Sequence, residues 1–156
     1  MRALGSSGTA TIESNGPYFF LRLATRSIRV FSMIMQAAAQ LSEHRILIVE
    51  DDFLIGSATA SALARAGADT VGPVGTLEHA LKLAETERLT AAILDIALRN
   101  DEVWPVAHAL RQRDVPIVFY SGNKPSPEWE GYLYLSKPAP VSRIIGSILL
   151  AVGRQT

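Results

Sequence analysis

The chain has 156 residues, of which 48% are hydrophobic and 19% charged, a balance that supports a buried core and excludes a disordered or collagen-like polymer. Fifteen basic residues are matched by fifteen acidic ones, so the basic footprint of a general nucleic-acid binder is missing. Cysteine is absent, which excludes disulfides, thiolate metal sites and cysteine nucleophiles and makes the cytoplasm the expected location.

Charge divides unevenly along the chain. Residues 1–44 hold four Arg and two Glu, leaving eleven basic and thirteen acidic residues for the rest. The first sixteen residues are small, polar and aperiodic, a composition with little to bury. In 17–41, Arg22, Arg26 and Arg29 interrupt the apolar residues at helical spacing, which is the pattern of a basic amphipathic helix. It is no membrane span, because those Arg fall where the apolar centre of one would lie. The favoured expectation is that residues 1–43 are a disordered or mis-annotated N-terminal extension, with a natural start at Met33 or Met35, and that residues 44–153 form one domain.

From residue 45 onward, short β-branched runs alternate with stretches of helical period. Strands are predicted at 45–49, 69–74, 91–95, 115–120 and 132–135. Helices are predicted over 53–66, with Leu54, Ile55, Ala58, Ala62 and Leu63 on its apolar side and Gly67 as its stop; from a Thr76 cap to Glu87; from an Asn100 or Asp101 cap through Leu110; and from Pro140 to Gly153. Between Ser121 and Tyr132, two Pro, two Gly and no periodicity allow one turn of helix at most. Apolar strands joined by helical crossovers make an α/β fold, a doubly wound parallel sheet with helices on both faces.

Sites in open parallel sheets form beyond the carboxyl ends of the strands. Strand one ends in Glu50, Asp51 and Asp52, strand three in Asp95, strand four in Ser121, and strand five runs into Lys137 and Pro138. Converging carboxylates repel unless a cation sits among them, and an all-oxygen donor set selects a hard one, magnesium being the natural candidate. A lysine and a hydroxyl on the same rim suit a bound phosphoryl group. Each piece alone has an ordinary structural explanation: a helix N-terminus, a turn or a solvated loop lysine. Their joint placement at four strand ends is what points to a site.

These residues resemble the receiver domain of two-component response regulators over 45–152, through RILIVEDD, AAILD, VPIVFYSG and LSKP in that order. The resemblance implies a flavodoxin-like five-stranded parallel sheet in the order 2-1-3-4-5, with a shortened fourth helix. It implies Asp95 as phosphoacceptor, Glu50 and Asp51 as the acidic pair holding Mg2+ together with Asp95 and the Ala97 carbonyl, Ser121 as switch hydroxyl, Lys137 as the family lysine, and Tyr134 as the aromatic switch. Asp52 is expected outside the metal shell, and the Lys137–Pro138 peptide is expected to be cis. The implied partners are a histidine kinase or phosphotransfer protein and a downstream protein. Such a chain catalyses its own phosphorylation and slow dephosphorylation, and is not a conventional metabolic enzyme.

Two departures stand out. The Pro and Gly usual after the phosphoacceptor are absent from DIALRNDEVWPV, and the segment before Lys137 is short for a full helix. The pattern is similar to that of stand-alone receivers with a remodelled fourth helix. Nineteen residues follow Lys137, room for a last helix and no effector, so direct DNA binding is not expected. The rival readings are a phosphorylation-independent receiver-like binding module and, more remotely, a magnesium phosphohydrolase. VGPVG lacks the dinucleotide-binding spacing and no Walker-type loop is present. His44, His79 and His108 stand apart from one another and read as structural, and Trp104 and Trp129 read as packing residues.

Overall fold

A computed structural model describes residues 39–154. The predicted basic helix, the alternative starts and most of the N-terminal extension lie outside the described residues. Strands β1 (Arg45–Val49), β2 (Asp69–Val74), β3 (Ala91–Leu94), β6 (Ile117–Ser121) and β7 (Leu133–Ser136) form one parallel sheet in the order β2-β1-β3-β6-β7. Strands β4 (Ala97–Leu98) and β5 (Asp101–Glu102) form a separate antiparallel hairpin. With that hairpin set aside, the order is the expected 2-1-3-4-5.

Successive strand residues face opposite sides of the sheet, and the two cores follow that alternation. Leu47, Val49, Leu94 and Phe119 pack under helices α2 (Leu77–Thr86) and α3 (Trp104–Gln112). Ile46, Ile48, Ile93 and Val118 pack under helices α1 (Phe53–Arg65) and α4 (Val141–Gly153), meeting Leu63, Ile144 and Ile148. Each fully buried Leu, Ile or Phe contributes about 1.5–3 kcal/mol. Leu41 is also fully buried, and its amide donates to the Ala66 carbonyl at 2.9 Å, so packed chain begins ahead of His44.

Three expectations need correction. The helix after β3 is not capped by Asn100 or Asp101. Those residues belong to the β4–β5 hairpin, whose turn places Arg99 at φ 49, and Trp104 opens the helix with Pro105 in its first turn. Leu54 and Ala58 do not join the core: both are exposed, Leu54 by 76%, because α1 buries Gly56 and Thr59 along with Ala62 and Leu63. Thr76 holds the N-cap position of α2 without a side-chain cap bond.

The segment between β6 and β7 carries only a 3-10 turn, Pro127–Trp129, as its composition predicts. Trp129 is 1% exposed. Its ring stacks on Trp104 at 6.0 Å, meets Phe119 and Tyr132 edge-on, and lies under the Arg111 guanidinium at 4.6 Å. One buried aromatic thus fastens to the sheet a connection that has no regular helix of its own.

Candidate functional site

β1 and β3 are neighbours at the point where the strand order reverses, so what leaves their carboxyl ends shares one crevice. Parallel pairing of Val49 with Leu94 brings Glu50 and Asp95 out side by side. The Asp95 amide donates to the Val49 carbonyl at 2.8 Å, and the Glu50 amide to the Val74 carbonyl at 2.9 Å. Oxygens of Glu50, Asp51 and Asp95 lie within 4.8 Å of one another. Glu50 and Asp95 are buried, while Asp51 is half-buried.

Lys137 enters from the end of β7. Its amide donates to the Ser121 carbonyl at 3.1 Å, pinning the loop to the end of β6. Its ammonium donates to Asp95 Oδ2 at 2.5 Å and also to Glu50 Oε2, with the Tyr120 ring 5.4 Å away. Burial pushes the Glu50 carboxyl above its usual range, against the lowering effect of Lys137. Burial alone would lower Lys137, but the bonds to Asp95 and Glu50 outweigh it and hold the ammonium above its ordinary value. The Lys137–Pro138 peptide is cis.

Asp52 caps α1, its side chain accepting from the amides of Leu54 and Ile55 at 2.9 and 3.0 Å, which commits it away from the cluster. Ser121 is 1% exposed at the end of β6, and its Oγ accepts from the Asn123 amide at 3.2 Å. Tyr134, in β7, donates its hydroxyl to the Ser121 carbonyl at 3.2 Å. The Ala97 amide reaches Asp95 Oδ1 at 3.4 Å.

The donor set fits a hard divalent cation. Three carboxylates against one ammonium leave two formal negative charges uncompensated in a half-buried crevice, and oxygen is the only donor type. The structure joins Glu50, Asp95 and Lys137 through direct contacts, sets the Asp51 carboxylate within 4.8 Å of the other two acids, and places Ala97, Ser121 and Tyr134 along the same rim.

Two features of the rim escape sequence reasoning. A Cβ on Gly75 would lie 2.9 Å from Asp51 Cα, so the connection after β2 lies directly against the acidic loop; a Cβ on Gly56 would meet Pro73 at 2.9 Å and Glu50 Cγ at 3.4 Å. The glycines of VGPVG are visible as a motif, but the approach of Gly75 to Asp51 is not. The other feature is the Arg99 amide, which donates to Asp51 Oδ2 at 3.1 Å and leaves no mark in the sequence because any residue but proline offers it.

No family model matches the chain. It is 32% identical over 117 residues to the transcriptional regulatory protein PdtaR of Mycobacterium tuberculosis, covering 70% of this chain and 57% of that protein; the chain thus spans little more than half the length of this curated relative. Among solved structures, it is similar to SdrG from Sphingomonas melonis Fr1 (32% identity, TM-score 0.61, 70% of this chain and 98% of that one). It is also similar to a response regulator receiver domain protein (CheY-like) from Methanospirillum hungatei JF-1 (26% identity, TM-score 0.64, 72% of this chain and 95% of that one). Among the described residues, no helix is long and apolar enough to cross a membrane. With its sheet order, its acidic crevice and these likenesses in agreement, the chain belongs to the receiver domain family of two-component response regulators.

Proposed function

We propose that this receiver accepts a phosphoryl group on Asp95 from a phosphohistidine of a histidine kinase or phosphotransfer protein, and works as a single-domain switch of protein–protein interactions. The observation that carries the reading is the contact of Lys137 with both Asp95 and Glu50. It sets a cation between the two buried carboxylates that leave the ends of neighbouring central strands.

In the reaction, a carboxylate oxygen of Asp95 attacks phosphorus and the N–P bond breaks, its electron pair returning to the imidazole; the product is an acyl phosphate. Glu50, Asp51, Asp95 and the Ala97 carbonyl would hold Mg2+. When bound, the ion supplies positive charge to the phosphoryl oxygens. Lys137 turns its ammonium from the Asp95 carboxylate to a phosphoryl oxygen, and Ser121, whose Oγ accepts from the Asn123 amide, donates a hydrogen bond from its hydroxyl to another. Hydrolysis of the acyl phosphate at the same site resets the switch.

Donor and output surfaces belong to the same proposal. Phe53 and Leu54 follow the acidic loop directly and are 78% and 76% exposed, an apolar shoulder for the protein that carries the phosphohistidine. Movement of Ser121 toward the phosphoryl group alters its contact with Tyr134, so the state of Asp95 is read at the β6–β7 edge. The test is incubation with Mg2+ and acetyl phosphate, followed by mass spectrometry. A base-labile adduct on Asp95 supports the reading, whereas no adduct favours a phosphorylation-independent binding module.

A further inference from the structure

We infer that the β4–β5 hairpin is a positioning element for the acidic cluster, in which the main-chain amide of Arg99 orients the Asp51 carboxylate for a divalent cation. This deepens the cation-site reading above and rests on it.

Asp51 is the least buried acid of the three. Its neighbour Glu50 is gripped by Lys137, and Asp52 is engaged in capping α1. A carboxylate with free side-chain torsions loses that freedom when it takes up a metal, and the loss weakens binding. A hydrogen bond already in place reduces it. The partner provided here is the Arg99 amide, at 3.1 Å from Oδ2. It carries no net charge, so unlike Lys137 it restrains the ligand without competing with the cation for its position.

The hairpin is built to hold that amide still. Leu98 pairs with Asp101 across a two-residue turn, and the Leu98 side chain is 1% exposed. The Val103 amide closes the base by donating to the Ile96 carbonyl at 3.0 Å. Arg99 takes φ 49, a left-handed conformation that a non-glycine residue adopts only where surrounding structure imposes it. Its side chain is exposed; the main chain performs the task. From the same hairpin, the Ala97 amide points at Asp95 Oδ1 at 3.4 Å, so one short strap aims two neutral donors at two of the acids.

The experiment measures Mn2+ affinity by the electron paramagnetic resonance signal of the free ion, with no turnover involved. R99G keeps the N–H and suits the left-handed turn, so its affinity should stay within about twofold of the parent. Glycolic acid at position 99, which replaces that amide by an ester, removes one N–H with the shape retained and should bind about tenfold more weakly, the lower end of the loss seen when a partner behind a metal ligand is deleted. Equal affinity of the amide and ester forms would overturn the inference while leaving the cation site standing. Absence of Mn2+ binding by the parent would overturn the cation reading itself, and this inference with it.

Discussion

Tyr134 donates its hydroxyl to the main-chain carbonyl of Ser121 at 3.2 Å, joining the side chain of one strand to the backbone end of the next. Ser121 therefore answers to two constraints: its Oγ accepts from the Asn123 amide, and its carbonyl is held by both Tyr134 and the Lys137 amide.

Tyr134→Phe removes that donor while leaving Asp95 and Lys137 untouched. The expected outcome is acetyl phosphate labelling close to the parent level, with stability lower by about 0.5–1.5 kcal/mol in urea unfolding. The difference between phosphorylated and unphosphorylated forms in amide chemical shifts of β7 should shrink. Unchanged β7 shifts on phosphorylation of the parent would remove Tyr134 from the switch.

Asp95→Asn deletes the nucleophile and alters little packing. Labelling should vanish, with the far-ultraviolet circular dichroism spectrum retained, because Lys137 still has Glu50 as a partner. Labelling of the variant at another residue would show that Asp95 is not the acceptor.

Lys137→Ala leaves Glu50 and Asp95 facing each other without their ammonium. Loss of such a buried partner costs about 1–3 kcal/mol after allowance for the residual solvent at this rim. Added Mg2+ should raise the melting temperature of the variant more than that of the parent, since carboxylates without the competing ammonium bind the cation more tightly and the stabilisation grows with the logarithm of that affinity. The acyl phosphate should form poorly in the variant even where Mg2+ binds. Equal labelling of parent and variant would contradict the role assigned to the lysine.

Gly75→Ala sets a methyl group 2.9 Å from Asp51 Cα and 3.3 Å from the Glu50 carbonyl oxygen. Both neighbours are main chain or close to it, so the acidic loop must shift. A cost of about 1–3 kcal/mol is expected, along with weaker Mn2+ binding by the same paramagnetic measurement. Full retention of cation affinity would show that the loop tolerates the displacement.

Trp129→Ala should cost about 3–5 kcal/mol, the range for truncating a large buried aromatic, seen as a lower urea midpoint. Hydrogen exchange should accelerate most in the segment around Pro127–Trp129, because the stacking with Trp104 and the contact with Arg111 disappear together. A midpoint equal to that of the parent would mean that the aromatic cluster contributes nothing to holding the connection.

Local chemistry was enough to read the sheet and the rim from the sequence. In RILIV, Leu47 and Val49 serve one core and Ile46 and Ile48 the other, because strand residues alternate between faces. Gly67, at φ 97, stops α1 where its composition says it should. Glu50, Asp95, Ser121 and Lys137 were legible as a group because strand ends of a parallel sheet must emerge on one side. What depends on which surfaces finally meet was not legible. Leu54 carries the hydropathy of a core residue, yet α1 turns inward a stripe that shares Ala62 and Leu63 with the predicted one but runs through Gly56 and Thr59. Trp129 reads from its residue type as a packing residue, but its aperiodic surroundings do not say against what, and the hollow beside Trp104 and Phe119 decides that. The segment at 97–102 reads locally as a helix cap, but burial of Leu98 and a left-handed Arg99 fold it into a hairpin. Periodicity reports what a residue would prefer to bury; contacts between segments distant in sequence decide which preferences are met, and through the Arg99 amide and Gly75 they also shape how Asp51 is held.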